Sequence, residues 1–217
     1  MTISSRIYDI SVLLGSESID FPGDPPFVRE QVGKIGETGA CDLTLLRMSA
    51  HAGTHLDCPA HFLPGGRTVD SYAPEDFLLP ALVVRIEDPE AVTLREIEAL
   101  PIREGDAVLF KTANSRSGRS ASGVFVADYV YLTPEAARFC ADRKVRLVGI
   151  DYITIERYGD PAFPAHRTLS EYGILILEGI RLGHVPEARY TLSCLPLRIQ
   201  GCEASPVRAI LLPGPRD

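Results

Sequence analysis

His51-Ala52-Gly53-Thr54-His55-Leu56-Asp57-Cys58-Pro59-Ala60-His61 holds three of the chain's five histidines, with an aspartate among them. Imidazole and carboxylate are ligands that first-row divalent metals accept. A helix would put His51 and His55 on one face but turn Asp57 nearly opposite His55. Gly53 and Pro59 also argue against a helix. The stretch is not the zincin helix either, because Ala52 stands where a glutamate should follow the first histidine. In an extended chain, positions 51, 55, 57 and 61 share one parity and project from one face. The spacing therefore predicts a strand or strand-like loop with a metal site on it, and Gly53 leaving room on that face for a metal or substrate. A polar strand face with unrelated histidines is the plainer alternative, and three in phase with an aspartate speak against it.

Outward from this stretch, the chain reads as strand-rich. Residues 6–13, 42–50, 81–86, 106–111, 145–151, 174–178, 190–199 and 207–212 read as strands, the second running straight into the histidines. Thr93-Leu94-Arg95-Glu96 has the pattern of a capping box opening a short helix to about residue 100. Thr133-Pro134 starts another helix, reaching Arg143. The polar run 112–123 is a long loop. No repeat or composition break marks a second domain, so residues 1–217 are expected to form one α/β domain with a mixed, largely antiparallel sheet.

At 217 residues, 45% hydrophobic, the chain can bury a sizeable core. A net charge of -7 without a basic cluster argues against nucleic acid as a partner. No apolar run approaches membrane-spanning length. The amino-terminal residues 1–14 lack a basic segment followed by a long apolar one, and the five scattered cysteines suit reduced thiols. A cytoplasmic location is expected.

Two more metal-type residues come late. His166 follows a Pro-rich segment, and Glu178 ends the apolar run 174–177, where a buried carboxylate needs a partner or a cation. With them the set suggests a two-metal site: Asp57 bridging, His51 and His55 on one ion, His166 and Glu178 on the other. His61 is then unligated and free for proton transfer. Asp151 is a candidate to orient a ligand histidine, Cys58 reads as core packing, and His184 as a surface residue.

The pattern His51-x-Gly53-Thr54-His55-x-Asp57-x-Pro59-x-His61 resembles the signature of the cyclase family of metal-dependent hydrolases, which includes bacterial kynurenine formamidases and isatin hydrolases. The similarity runs through Tyr8–Ser11, Phe21–Asp24, Leu147–Asp151, His166, Ile176–Ile180, Leu195–Leu197 and Ser205–Ala209. It implies a swivelling β/β/α-type fold, a homodimer or dimer of dimers, and two divalent ions per chain, Zn2+ or in some relatives Mn2+. It implies the ligand set His51, His55, Asp57, His166 and Glu178, a proton-transferring His61, and an aromatic substrate contact at Phe21, where many formamidases carry Trp. The function implied is hydrolysis of a small-molecule amide, foremost an aryl formamide such as N-formylkynurenine in tryptophan catabolism. A lactam or lactone hydrolase is the alternative within enzymes, and a structural metal-binding protein the alternative outside them.

Overall fold

The computed structural model of the chain describes residues 6–214. The first five residues of the amino-terminal segment read above lie outside them. One nine-stranded mixed sheet organises the molecule. Its strands lie in the order Tyr8–Asp9, Ile210–Pro213, Arg189–Ser193, Leu78–Arg85, Ala107–Lys111, Leu147–Ile150, Leu175–Glu178, His55–Asp57 and Ala204–Pro206. The four strands from Leu78–Arg85 to Leu175–Glu178 run parallel, and the flanking pairs are antiparallel.

The central strands are apolar on both faces because both faces are covered. Ala81, Val83, Leu109, Leu147 and Leu177 point to one side, into a core closed by Ile10, Leu56, Leu192 and Leu211. Leu82, Val84, Val108, Phe110, Val148 and Ile176 point to the other, against Ala136, Ala137, Cys140 and Leu169 of two helices. Full burial of a residue such as Leu109 or Phe110 contributes about 1.5–3 kcal/mol. The sheet curls far enough for Ser11, just past the first strand, to bridge Ile180, just past the seventh. That curl brings the His55–Asp57 strand between the ends of two others.

Several sequence expectations shift. The first strand is only Tyr8–Asp9, with Ser11 bridging separately. The strand at 42–50 is Leu43–Arg47; it stops short of the histidines and pairs in a separate hairpin with Val28–Gly33, which periodicity missed. The helix at Thr93 is a single turn, Leu94–Ile97, without the capping box: Thr93 makes no side-chain cap bond, and Glu96 accepts instead from the Glu87 amide. Thr133 does cap Pro134–Asp142, accepting from the Ala136 amide. The 112–123 run is not one loop but two short helical turns, Ala113–Arg116 and Arg119–Ala121, with Asn114 and Ser120 buried. A helix at Pro164–Glu171 was not expected. Among the described residues no helix is long and apolar enough to cross a membrane.

Candidate metal centre

His55 and Asp57 share a face of their short strand, two residues apart. The strand is wedged between Leu175–Glu178 and Ala204–Pro206, and the register sets Glu178 directly opposite His55. Two glycines make this close approach work. Gly53 and Gly179 both have positive φ (64° and 66°), and a Cβ on Gly179 would sit 2.2 Å from the Gly53 carbonyl oxygen. Thr54 Oγ1 donates to the Gly179 carbonyl and accepts from the Val12 amide, tying the turn to the end of the Glu178 strand. Gly53 therefore serves backbone packing: a Cβ there would meet Leu14 at 2.6 Å, which corrects the reading that it leaves room for a metal.

The extended reading of residues 51–61 holds only in part. His55–Asp57 is strand, but His51 lies in a turn and His61 ends a 3-10 turn, Pro59–His61. All four side chains nevertheless converge, because the turns fold back over the strand. His51 Nδ1 is 2.9 Å from Asp57 Oδ1. His55 Nε2 is 3.6 Å from Asp57 Oδ1 and 3.2 Å from Glu178 Oε2. His166 Nε2 is 3.3 Å from Glu178 Oε1 and 3.9 Å from Asp57 Oδ2. The rings of His51 and His61 lie 4.2 Å apart.

Despite this closeness, His55 Nε2 and both Asp57 oxygens are buried without a hydrogen-bond partner. Buried polar atoms are rarely left so. Donor atoms that crowd together yet are misaligned for bonding to one another fit a shared cation. Two sets of donor atoms each lie within 4.8 Å of one another: His51, Asp57 and His61, and His55, Asp57 and Glu178. Asp57 belongs to both. This grouping differs from the pairing read from sequence, which joined His51 to His55 and Glu178 to His166, and it brings His61 among the donors. Imidazole and carboxylate without thiolate suit Zn2+ or Mn2+; Cys58 packs into the core, where burial pushes its thiol up to about 12.

The charges are arranged around Asp57. Burial opposes its ionisation, but His51 and His55 hold the carboxyl far below the usual range. Burial also disfavours the imidazolium of His51, but Asp57 outweighs it and raises the group to about 9. For His166 burial is again outweighed, by the hydrogen bond to Glu156 and the nearby Glu178 carboxylate, which bring it to about 10. His61 goes the other way: burial dominates and lowers it.

Three roles were misread or missed. Asp151 does not orient a histidine; its carboxylate accepts from the Thr112 amide and hydroxyl and the Ser115 amide, holding the 112–116 turn. The carboxylate on a ligand-type histidine is Glu156, whose Oε2 lies 3.1 Å from His166 Nδ1. It follows the run 152–155, which Thr154 interrupts, so the signal that marked Glu178 after 174–177 was weaker here. Glu203, 3.5 Å from His51 Nε2, had no such signal. Phe21 does reach the site, lining a cleft with Asp24, His61, Phe62, Phe163 and His166. His184 is far from it, against the Asp9 carbonyl.

Residues 8–157 match the family model described as putative cyclase. The chain is 31% identical over 210 residues to kynurenine formamidase of Bacillus thuringiensis (strain Al Hakam), covering 97% of this chain and 99% of that protein. Among solved structures, a potential metal-dependent hydrolase with cyclase activity superposes with a TM-score of 0.82 at 32% identity, over 97% of this chain and 99% of that one. Isatin hydrolase A from Ralstonia solanacearum superposes at 0.81 with 26% identity, over 95% and 91%. The mixed α/β fold with a curled sheet is thus the fold of these structures.

Proposed function

This chain belongs to the cyclase family, and on that premise we propose that it is a metal-dependent amidohydrolase cleaving a small aryl formamide, with N-formylkynurenine as the leading substrate. One observation carries the reading: Asp57 presents two buried, unpartnered oxygens to two groups of donors. The reading assigns His51, His55, Asp57, His166 and Glu178 to hold two divalent ions, Zn2+ or Mn2+. When bound, such ions supply Lewis acidity toward a water nucleophile and a carbonyl.

The chain's own residues do the rest. His61 stays neutral at neutral pH because burial lowers it, so it can accept a proton. It takes the proton from the attacking water and returns it to the leaving nitrogen, releasing formate and the arylamine. Phe21, Phe62 and Phe163 give the aryl group an apolar wall. Phe21 is itself braced by Phe125 and Tyr158, at 5.7 and 6.3 Å between ring centroids.

The similarity to isatin hydrolase A supports a second reading, opening of a lactam by the same attack. A hydrolysis screen of N-formylkynurenine, formanilide and isatin, with Zn2+ or Mn2+ supplied, separates the two. Formamide cleavage abolished by chelation is the expected result; turnover of isatin alone would favour the lactam, and turnover of none would sink both.

The reading includes a cytoplasmic homodimer or dimer of dimers. Leu43, Leu45, Leu46 and Val32 of the outlying hairpin are exposed apolar side chains that a second copy would cover. Light scattering tests the assembly, and a monomer would refute it.

A further inference from the structure

Phe21 begins a tight turn and Asp24 ends it: the Asp24 amide donates to the Phe21 carbonyl at 3.0 Å. Pro22 and Gly23 stand where a type II turn needs a fixed φ and then a positive one, and Gly23 has φ 101°. Such a turn holds its first and last Cα atoms within about 7 Å of each other. Phe21 and Asp24 both line the cleft that holds the donor cluster. One stiff turn thus presents an aromatic face and a carboxylate side by side in the cleft wall, with Asp24 at the exposed end.

The fold makes little use of the Asp24 carboxylate. Its one side-chain hydrogen bond among the described residues is long, Ser49 Oγ donating to Oδ2 at 3.5 Å. Oδ1 has no protein partner among them, and no Lys or Arg pairs with the group. Asp24 belongs to neither donor group around Asp57. Ser49 also accepts from the His51 amide at 3.1 Å, so the carboxylate is tethered to the turn that carries His51. The cleft wall itself holds no Lys or Arg. An adjoining hollow, which shares Phe21, Thr154 and Phe163 with the cleft, adds Arg157. Its guanidinium lies over the Tyr131 ring, 5.9 Å from the centroid, and Tyr131 lines neither space.

We infer that Asp24 is a specificity-determining residue that binds the ammonium group of an aryl formamide whose ring carries an alkylamine side chain. This rests on the aryl-formamide reading above and narrows it to substrates with a positively charged side chain. A ring lying against Phe21 has its side chain beside Asp24, because the turn fixes the two together. A carboxylate there attracts an ammonium ion and repels an anion. With no Lys or Arg in the cleft wall, an amino-acid side chain is held by its ammonium end, and its carboxylate faces solvent. N-formylkynurenine belongs to this class through its ammonium group; isatin, which has none, does not.

The test uses formamides that share one ring and ketone. N-formylkynuramine has an ammonium group on the side chain, the desamino analogue of N-formylkynurenine has a carboxylate, and o-formamidoacetophenone has neither. In the metal-loaded wild type, kcat/KM should be highest for the ammonium compound and lowest for the carboxylate. The ratio of the first to the second should fall about five- to tenfold in Asp24→Asn, between the worth of an exposed ion pair and that of a charged hydrogen bond. Added salt should shrink the ratio in wild type more than in the variant. The turn is closed by backbone atoms and Asp24 is exposed, so the variant keeps the fold, and metal content is measured alongside. Calorimetry of the products gives a second measure: kynuramine should bind wild type more tightly than o-aminoacetophenone and lose that advantage in Asp24→Asn. A ratio unchanged by Asp24→Asn, or a wild type that favours the carboxylate, would overturn the assignment. If wild type cleaves none of the formamides, the aryl-formamide reading fails, and the calorimetric comparison still decides the role of Asp24.

Discussion

Glu156 holds His166 from two sides: its Oε2 lies 3.1 Å from the ring Nδ1 and 3.1 Å from the residue's own amide nitrogen. The backbone bond sets where the residue starts in its helix, and the ring bond sets the tautomer and aims Nε2 at Glu178 and Asp57.

Replacing Glu156 with Gln keeps an acceptor but removes the charge that sustains His166 as a strong donor. Metal affinity should fall by about 10–100-fold, as for other partners of ligand histidines. Glu156→Ala should fall further and also lose stability, because the Ala165 and His166 amides lose their acceptor. Competition with a chelator gives the affinity; wild-type affinity in Glu156→Gln would show the contact to be incidental.

Asp57→Asn tests the shared carboxylate. Asp57 is the one member common to both donor groups. An amide keeps the shape but loses the charge and most of the ability to bridge. Both ions should be weakened together, whereas His166→Ala should spare the ion nearer His51. One ion retained at full affinity in Asp57→Asn would rule out bridging.

Metal uptake should depend on pH with a definite sign. In the metal-free protein His51 titrates at about 9 and His166 at about 10, so both carry protons at neutral pH. Both values are raised, so their contribution to the stability of the metal-free fold is full below the unfolded value near 6.5 and is lost as pH rises through 9 to 10. A cation must displace these protons, so affinity should rise from about pH 6 to about pH 8 with ~two protons released. Calorimetry in buffers of different ionisation enthalpy counts them; pH-independent uptake would contradict the assignment.

Gly179→Ala should cost at least about 2 kcal/mol, combining a left-handed backbone with overpacking. The clash is with the Gly53 carbonyl at 2.2 Å, which is backbone and cannot swing aside. Gly105→Ala is the control: its φ is 86° but nothing lies within 4 Å of the added Cβ. It should cost only about 1–2 kcal/mol. Denaturant midpoints compare the two, and equal losses would mean the close approach is not tight.

Much of the site was legible because its signals are local. The in-phase histidines mark a shared location even though the backbone is strand only at His55–Asp57. Glu178 was legible because a carboxylate ending an apolar run must find a partner. What escaped depended on tertiary context. The helix carrying His166 begins in a Pro-rich segment at a left-handed Phe163 and is capped by Glu156 from seven residues before that, none of which is a capping motif. Val28–Gly33 was missed because five of its six residues are exposed and show no alternation. Asp151 was open to two readings, orienting a ligand histidine or simply ending a strand, because a buried strand-end carboxylate looks alike whether it binds histidine or, as here, a backbone turn.

His61 carries the sharpest prediction, because the geometry admits two roles for it. Its ring nitrogen lies among the donors around Asp57, so it is placed to ligate. Yet burial lowers its pKa while His51 and His166 are raised, and a neutral imidazole at the cleft wall suits proton transfer. Removing a general acid–base group lowers turnover by about a hundredfold to ten-thousandfold. His61→Ala should therefore lose turnover in that range while metal stoichiometry holds and KM changes much less. The deficit should shrink for activated esters, whose leaving group needs no proton, and persist for anilides. Loss of one metal equivalent from His61→Ala, measured by elemental analysis, would make His61 a ligand, and an equal deficit on esters and anilides would remove the proton-transfer role.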